Sequence, residues 1–247
     1  MKKNARPRFK PDAADSTPLY LQLARHLAEA IREGQYRPQE ALPSERVLSE
    51  STQLSRVTTR KALDQLAEQG LIVRRQGSGN YIAPHLEAAL SRLTSFSEEL
   101  RRRGYAPGSR WISRAITPAT REEARLLELS PETRVARLKR LRLADDVVMA
   151  HEESILPASV LAKPESVGSS LYEHLARSRK APTRAVQRIR AVNAPARLAS
   201  QLGVPAGHAV LYITRIGRLD SGEIVELTIS HCRSDFYDFV AEMARES

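Results

Sequence analysis

The stretch from Leu42 to Ile82 constrains the fold more than any other part of the chain. It contains two short helical patterns, each preceded by a serine, and then two β-prone runs separated by Gln76-Gly77-Ser78-Gly79. Ser44 can cap the first helix and Ser55 the second, because a serine hydroxyl accepts a hydrogen bond from a free amide of the first turn. A glycine-rich tip between β-prone runs is typical of a hairpin. This order of parts predicts a winged helix-turn-helix.

The second helix, from Arg56 to about Gln69, has an apolar side and a basic side at about 100° per residue. The apolar side comprises Thr59, Ala62, Leu63 and Leu66, and the basic side comprises Arg56, Val57, Arg60 and Lys61. Arginine near the N-terminus of such a helix suits bidentate bonds to guanine, while Thr58 and Val57 suit a phosphate or a thymine methyl. A solvated basic surface has the same pattern, so the helix alone leaves both interpretations open.

The hairpin favours the interpretation as a DNA-binding module. Leu71–Arg75 and Asn80–Ile82 should pair around the glycine tip, and such a tip lets backbone amides approach phosphate or enter the minor groove. Arg74 and Arg75 add positive charge beside it. A capped helix, a basic helix and a basic hairpin in this order therefore predict binding to double-stranded DNA.

These residues resemble the DNA-binding domain of GntR-family bacterial transcription regulators. The resemblance covers about residues 16 to 83 and is carried by Pro18-Leu19-Tyr20-Leu21-Gln22, Leu42-Pro43-Ser44-Glu45-Arg46, Ser55-Arg56-Val57-Thr58-Thr59-Arg60-Lys61-Ala62-Leu63 and Gly70-Leu71-Ile72. It implies that Arg46, Arg56, Thr58 and Arg60 contact DNA, with Gln76 and Gly77 at the wing tip. The predicted DNA-binding residues are Arg46, Ser55, Arg56, Thr58, Arg60, Lys61, Arg74, Arg75, Gln76, Gly77, Ser78 and Gly79.

The rest of the N-terminal half predicts a tail, a helix and a linker. Residues 1–15 are basic, contain proline and lack apolar spacing, which indicates a flexible tail. From Pro18 to Glu33 apolar residues recur at helical spacing before Gly34, and this first helix should cover the core of the module. We therefore expect a DNA-binding domain over 16–83, a linker over 84–92 and a second domain over 93–247.

Composition sets the limits of the interpretation. The net charge of +10 suits a nucleic-acid partner, but residues 1–85 hold 14 Lys+Arg against 9 Asp+Glu and the remainder 25 against 20. The DNA prediction therefore depends on where the arginines lie and not on their number. The single cysteine, Cys232, permits no internal disulfide and fits a reducing cytoplasm. No apolar run reaches membrane-spanning length, so we expect a cytoplasmic protein without a membrane partner.

The second half contains a weak repeat of a helix followed by a two-stranded hairpin. The first copy comprises Pro118–Leu129, Val135–Leu143 and Val147–Ile155, and the second comprises Pro195–Leu202, Val210–Leu219 and Glu223–Cys232. Arg140 and Arg215 occupy matching places, 75 residues apart. The repeat predicts a mixed helix and strand domain, α+β in class, around an antiparallel sheet, with a ligand site in the cleft between the two copies.

Several polar residues of this half suit an anionic ligand. Arg140 and Arg142, two apart on one strand, point to the same face, where they could grip a phosphate or form a salt-bridged sheet surface. Ser170 can cap a helix that begins at Leu171 and so offer free amides to the same anion. Ser95 or Ser97 can cap another helix ending at Gly104, although Glu98 and Glu99 would oppose a phosphate there. Glu152 and Glu226 could take sugar hydroxyls or an amine.

This half resembles the UTRA effector-binding domain of the HutC subfamily, whose fold is like that of chorismate lyase. The resemblance runs from about Leu93 to Val240 and is closest in Leu93-Thr94-Ser95-Phe96-Ser97-Glu98, Arg140-Leu141-Arg142-Leu143-Ala144, Ser169-Ser170-Leu171-Tyr172 and Arg233-Ser234-Asp235-Phe236-Tyr237. The whole chain looks like the regulators of N-acetylglucosamine use, which implies glucosamine 6-phosphate or N-acetylglucosamine 6-phosphate as effector; related domains bind urocanate or other acids. The predicted effector-binding residues are Ser95, Phe96, Ser97, Arg140, Arg142, Glu152, Ser170, Tyr172, Glu226 and Arg233.

One departure from the sugar-phosphate sensors concerns the ring contacts of the ligand. In those sensors a tyrosine stands just before the Arg-x-Asp run, whereas here His231-Cys232 precede Arg233. The exact effector is therefore left open.

Catalytic signatures are missing from the sequence. His151-Glu152-Glu153 lacks the second histidine of a zinc-protease helix, and His231-Cys232 has no partners at metal-ligand spacing. No nucleophile elbow, Walker loop or dinucleotide fingerprint is present. We expect no catalytic residue, metal or cofactor, and a lyase-like enzyme is an alternative that depends on fold alone.

The sequence thus predicts a homodimeric transcription regulator, a repressor, that binds a palindromic DNA operator and responds to a phosphorylated amino sugar.

Overall fold

The computed structural model describes residues 9–12, 14–33, 35–36, 40–75, 78–84, 86–89 and 92–241. The chain divides into two compact units, Met1–His85 and Leu86–Ser247. Gln76 and Gly77, at the predicted wing tip, lie outside the described residues.

The first unit is a winged helix-turn-helix, as predicted. Its elements are α1 (Leu19–Arg32), α2 (Glu45–Thr52), α3 (Arg56–Glu68), β1 (Ile72–Arg75) and β2 (Gly79–Ile82). The predicted serine caps start both helices, since Val47 N donates to Ser44 Oγ at 3.4 Å and Thr58 N to Ser55 Oγ at 3.1 Å. The two strands pair in antiparallel register, with Arg75 opposite Gly79. Apolar residues of all three helices and of both strands form one core.

Part of the predicted flexible tail is packed against α1. Phe9 lies on the core of the first unit, with its ring centroid 5.5 Å from that of His26. The Gln22 side chain accepts from Asp12 N at 2.9 Å and donates to Thr17 O at 2.9 Å. Isolated anchors of this kind leave no periodic pattern in a sequence, so local spacing missed them. Residues 1–8 and 13 of that tail are outside the described residues.

The second unit contains a six-stranded sheet in the order β4-β5-β6-β9-β8-β7. Its elements are β3 (Leu86–Ala89), α4 (Phe96–Arg102), β4 (Pro107–Pro118), α5 (Arg121–Leu127), β5 (Arg134–Ala144), β6 (Val147–Pro157), α6 (Leu171–Ala176), β7 (Arg184–Asn193), α7 (Ala196–Leu202), β8 (Ala209–Arg218), β9 (Ile224–Arg233) and β10 (Tyr237–Val240). All pairings within this sheet are antiparallel, as predicted.

The predicted repeat is present and longer than the sequence indicated. Each copy is a strand, a helix and a hairpin, β4-α5-β5-β6 and then β7-α7-β8-β9, and the copies meet where β6 pairs with β9. The additional strands β4 and β7 form the two edges of the sheet, and most of their residues are exposed or half-buried. Edge strands of this kind lack a clean apolar alternation, which explains why the pattern did not reveal them.

The two faces of the sheet are covered by different helices. Leu171 and Leu175 of α6 pack with Leu138 and Leu156 on one face. Leu127 of α5 packs on the other face, with Val135, Ile155 and Leu227 among its neighbours. Because side chains alternate along a strand, Arg140, Arg142, Glu152 and Thr228 point to the α6 face.

Four residues of the predicted linker form a strand. β3 pairs in parallel with β10, with Leu86 opposite Tyr237 and Ala89 opposite Val240. This two-stranded ladder is separate from the six-stranded sheet. The partner strand comes from near the other end of the chain, so local composition could not indicate the pairing, and the structure differs from the predicted linker for that reason.

Candidate functional site

The start of α3 and the hairpin of the first unit border one surface cleft. Arg46, Arg56 and Arg60 line this cleft together with Ser78 and Gly79 of the hairpin. Arg56 and Arg60 are exposed. The apolar side of α3 is buried in the core, as its spacing predicted, because Ala62, Leu63 and Leu66 are fully buried. The basic side is therefore free to meet a groove of duplex DNA.

Three of the predicted DNA-binding arginines, Arg46, Arg60 and Arg74, form ion pairs on the protein surface. Arg46 Nη1 lies 2.9 Å from Glu50 Oε1, and Arg60 Nη2 lies 3.1 Å from Glu45 Oε2. Arg74 pairs with Asp64. Exposed ion pairs of this kind contribute little to stability, so a phosphate or a guanine edge can replace the carboxylate. Arg56 forms no ion pair with any described residue, which leaves its guanidinium available.

The remaining DNA-binding candidates have local roles. Ser55 caps α3, and its hydroxyl lies 2.8 Å from that of Thr58. Lys61 Nζ is 5.9 Å from the Tyr20 ring centroid, and the Arg75 guanidinium is 4.5 Å from that of Tyr81. Lys61 and Arg75 are both exposed on the same unit as Arg56, so a DNA phosphate can reach either side chain.

A polar cavity lies in the second unit between the starts of α4 and α6 and the sheet. It has a larger chamber of about 80 Å³ and a smaller one of about 30 Å³. The residues shared by both chambers are Ser95, Phe96, Glu152, Arg215 and Thr228. Since Glu152 comes from the first copy of the repeat and Arg215 and Thr228 from the second, the cavity draws on both copies.

Arg140 is neutralised by a carboxylate. Its Nε lies 2.7 Å and its Nη2 2.6 Å from Glu152 Oε1. Burial opposes ionisation of Glu152, yet the nearby guanidiniums of Arg140 and Arg142 hold its pKa below the ordinary value. Arg140 therefore forms the salt bridge that was its alternative interpretation, with Glu152 as its partner, and the effector-binding role of these two residues stays a prediction.

Arg142 is a buried cation without a carboxylate of its own. It is 1% exposed. Its Nη1 donates to Ser109 Oγ at 2.7 Å and to Ser169 O at 3.1 Å, and its Nη2 to Ser97 Oγ at 2.8 Å. Its Nε has no partner among the described residues. Burial, together with the charge of Arg140, lowers the pKa of Arg142 to about 9. A bound anion would remove this penalty.

The opposite end of the smaller chamber is acidic. Tyr172 Oη donates to Glu226 Oε2 at 2.8 Å, and Thr228 Oγ1 donates to Glu226 Oε1 at 2.6 Å. Burial raises the pKa of Glu226. Arg215 approaches from β8 and donates through Nε to Gln187 Oε1 at 2.9 Å. The cavity therefore offers a cation at one end and a carboxyl with hydroxyls at the other.

Two helix caps open onto the cavity. Ser95 Oγ accepts from Glu98 N at 3.1 Å, and Ser170 Oγ accepts from Glu173 N at 3.3 Å. Each hydroxyl keeps its own hydrogen, which can be donated to a ligand oxygen. Ser97 is fully buried behind the cavity, where its hydroxyl accepts from Arg142 and donates to Ser169 O at 3.4 Å. Ser97 therefore positions the guanidinium of Arg142.

Arg233, a predicted effector-binding residue, is engaged with residues that follow it in the chain. This guanidinium pairs with Asp235, with Nη2 2.5 Å from Oδ2, and lies 3.9 Å from the Phe236 ring centroid. Alternation along β9 turns Arg233 away from its neighbour Cys232, which lines the larger chamber. Burial raises the pKa of the Cys232 thiol to about 12, so it presents a small neutral side chain.

Sequence reasoning missed several residues of the larger chamber. Thr94, Ser230, Tyr237 and Phe239 line it, and none of them was in the predicted set. Arg215 was noticed only as the repeat partner of Arg140. The alternation of side chains along the strands could have revealed it. Arg215 on β8 lies opposite Thr228 of β9, and both side chains point to the same face of the sheet as Glu226.

Metal ligands do not cluster in the described part of the chain. No three side chains of His, Cys, Asp and Glu come together there as a metal site requires. His151 and His231 face each other across β6 and β9, with ring centroids 6.1 Å apart. Among the described residues, no helix is long and apolar enough to cross a membrane.

Known proteins match both units. Residues 19–82 match the model for bacterial regulatory proteins of the gntR family, and residues 102–238 match the UTRA domain. The HTH-type transcriptional regulator GgaR of Escherichia coli strain K12 is 34% identical over 230 residues, which are 93% of each chain. The HTH-type transcriptional repressor NagR of Bacillus subtilis strain 168 is 36% identical over 234 residues, 93% of this chain and 96% of NagR. The crystal structure of PhnF from Mycobacterium smegmatis gives a TM-score of 0.62 at 27% identity, covering 91% of this chain and 100% of that one.

Proposed function

The chain belongs to the GntR family of bacterial regulatory proteins and carries a UTRA domain, and from this premise we propose that it is a homodimeric repressor released from a palindromic operator by an amino-sugar phosphate. Family membership makes it a transcription regulator that binds operator DNA and not an enzyme. The repressor role is supported by the name of NagR. Because a bacterial regulator meets its operator DNA in the cytoplasm, we place its action there.

For the DNA, we assign the reading of bases to Arg46, Arg56, Thr58 and Arg60. Arg46, Arg56 and Arg60 line the cleft beside the hairpin, and Thr58 lies half-buried in the first turn of α3. Lys61, Arg74 and Arg75 would bind phosphates, and Ser55, Ser78 and Gly79 would approach the backbone closely. Gln76 and Gly77 complete the proposed set by sequence alone. Two such modules in a symmetric dimer would read the two halves of a palindrome.

For the effector, one observation carries the proposal: Arg142 is a buried guanidinium with an unpartnered Nε and no carboxylate of its own. A phosphate would supply the missing negative charge through charge-assisted hydrogen bonds. Ser95 and Ser170, which line the same chamber, each have a hydroxyl hydrogen to donate to it. We therefore place the phosphate between Arg142 and these two serines.

The rest of the ligand would lie towards the acidic end of the cavity. Glu226, Tyr172 and Thr228 form a hydrogen-bonded group that can accept from sugar hydroxyls or from an amine. Phe96 and Arg215 border both chambers and would contact the sugar ring. An anion at one end and hydroxyl or amine donors at the other describe glucosamine 6-phosphate and N-acetylglucosamine 6-phosphate.

A small carboxylic acid such as urocanate is the second candidate. A carboxylate would also compensate Arg142, and Cys232 stands in the larger chamber where the sugar-phosphate sensors are expected to have a tyrosine. The two candidates differ at the acidic end, since a sugar offers several donors to Glu226 and a planar acid offers few.

The experiment is a binding panel with the full chain. Glucosamine 6-phosphate, N-acetylglucosamine 6-phosphate, inorganic phosphate and urocanate are compared by thermal shift and calorimetry, because a ligand stabilises the folded state that it binds. We expect an amino-sugar phosphate to bind more tightly than inorganic phosphate, and Arg142→Met to abolish its binding. Binding of urocanate alone would overturn the effector assignment and keep the regulator. Turnover of any compound is not expected.

A further inference from the structure

We propose that a ligand in the cavity changes the stability of strand β3, which follows the DNA-binding unit in the chain. The effect would pass through β10, which lines the cavity and pairs with β3, and Tyr237 and Phe239 would be its positioning residues. The inference rests on the proposed function, because it concerns the same cavity. It concerns how a ligand in that cavity affects β3, the strand that follows the wing in the chain, and it does not depend on which anion binds.

The side chains of β10 belong to the cavity wall. Tyr237 and Phe239 both line the larger chamber. Their rings stack, with centroids 5.8 Å apart. Tyr237 is 7% exposed, whereas Val240 on the same strand is 51% exposed. A ligand in the larger chamber would therefore contact β10 on one side of the strand only.

The backbone of β10 holds the linker. β10 pairs with β3 along its whole length, and the four paired residues of β3 are Leu86–Ala89. The next described residues after β3 lead to Thr94, Ser95 and Phe96, which line the same chamber. β3 is thus linked to the cavity in two ways. It pairs with β10, and it is followed in the chain by Thr94, Ser95 and Phe96, which line the cavity.

The β3–β10 pair is the kind of element that a ligand can bias. It is a two-stranded parallel ladder of four residues per strand, separate from the six-stranded sheet. Isolated pairs of strands are marginally stable, and parallel pairing is slightly weaker per residue than antiparallel pairing. Its stability therefore depends on how β10 packs against the cavity, and packing of a ligand on Tyr237 and Phe239 strengthens the pair.

The position of β3 in the chain gives this pair its effect. β2 of the wing ends at Ile82, and β3 begins at Leu86. Strengthening or releasing β3 changes the freedom of the segment that begins directly after the wing. An effector can alter DNA affinity only if it favours one arrangement over another, and the ordering of β3 is a difference of that kind.

The test uses hydrogen–deuterium exchange on the full chain, with Phe239→Ala and Val240→Ala as a matched pair of truncations. Without ligand, we expect Phe239→Ala to increase exchange at residues 86–89, because it removes part of the packing that holds β10, and Val240→Ala to leave it unchanged. Equal exchange at 86–89 in both variants overturns the inference whatever the effector is.

With a saturating concentration of glucosamine 6-phosphate or of its N-acetyl form, whichever binds, we expect exchange at 86–89 and 237–240 to slow in the wild type. In the wild type, we expect the ligand to change the operator affinity by roughly 5- to 150-fold, the usual range of allosteric coupling. In Phe239→Ala this ratio of affinities should fall towards about 1, and in Val240→Ala it should equal the wild-type ratio. A purely structural role would lower stability without changing this ratio. If the ligand binds and releases DNA while exchange at 86–89 stays constant, the inference fails and the proposed function stands. If neither glucosamine 6-phosphate nor its N-acetyl form binds, the effector assignment fails, and the ligand-free comparison still decides the inference.

Discussion

Arg140 and Glu152 lie opposite each other on β5 and β6, with 2.7 Å between Nε and Oε1, whereas Arg142, two residues further along β5, lies opposite Ala150. The first guanidinium is paired and the second is not. This difference gives the cavity a surplus of positive charge where the proposed phosphate binds, and it separates the two arginines in their contributions to stability and to binding.

Replacing these two arginines by methionine should therefore destabilise the protein to very different extents. Arg140→Met leaves the Glu152 carboxylate buried without its partner, and we expect a loss of about 3–5 kcal/mol in the free energy of unfolding. Arg142→Met removes an uncompensated buried cation along with its hydrogen bonds to serines and a carbonyl, so we expect a change of only about 1 kcal/mol. Urea unfolding at pH 7 measures both values. A larger loss for Arg142→Met than for Arg140→Met would contradict this account.

The two buried glutamates of the cavity should affect the pH dependence of stability with opposite signs. Arg140 and Arg142 hold the pKa of Glu152 below 4.5, so its contribution is present above about pH 4.5 and is lost as the pH falls through the folded-state pKa. Burial raises the pKa of Glu226 above 4.5, so its contribution is present below about pH 4.5 and is lost as the pH rises through the folded-state pKa.

Glu152→Gln and Glu226→Gln are the matched variants for this prediction. The stability difference between wild type and Glu152→Gln should shrink as the pH falls below 4.5, whereas the difference between wild type and Glu226→Gln should move in favour of the variant as the pH rises above 4.5. Urea unfolding between pH 3.5 and about 7 tests both trends. Parallel curves for the two variants would refute the assignment of causes.

Arg56 and Lys61 should differ in how they affect DNA binding. We expect Arg56→Ala to cost roughly 1–3 kcal/mol on the operator and to relax base preference, because a bidentate contact to a base edge is lost. Lys61→Ala should weaken binding to all sequences alike, since a phosphate contact carries no sequence information. Fluorescence anisotropy with operator and random duplexes compares them. Equal losses on both duplexes for both variants would exclude this division of roles.

The cap of α3 should contribute measurably to the first unit. Ser55 Oγ accepts from Thr58 N at 3.1 Å, and Ser44 Oγ accepts from Val47 N at the longer distance of 3.4 Å. We expect Ser55→Ala to cost about 1 kcal/mol of stability, and Ser44→Ala to cost less because its bond is weaker. Chemical unfolding of the two variants gives the comparison, and a larger loss for Ser44→Ala would contradict it.

Local chemistry made the first unit readable from the sequence. Serine caps, the helical spacing of Ala62, Leu63 and Leu66, and a glycine tip are short-range signals, and they placed α2, α3 and the hairpin correctly. The hairpins of the repeat were also visible, because Asp145 and Asp146 mark a turn and both adopt positive φ. What the sequence could not supply were long-range relationships.

Three features of the second unit had no local signal in the sequence. The pairing of Leu86–Ala89 with β10 joins distant parts of the chain, so nothing local marks β3 as a strand. The salt bridge of Arg140 with Glu152 and the turn of Arg233 towards Asp235 depend on the register and alternation of strands, which spacing alone leaves open. Edge strands β4 and β7 have exposed residues on both faces and so lack a clean apolar alternation.

The most direct test of the central claim is operator binding with and without effector in wild type and Arg142→Met. Operator duplexes selected from random DNA are titrated by fluorescence anisotropy in the absence and presence of glucosamine 6-phosphate or its N-acetyl form. We predict that one of these ligands weakens operator binding by the wild type about 5- to 150-fold and leaves Arg142→Met, which still binds DNA, unaffected. An undiminished response of Arg142→Met to the same ligand would contradict the account.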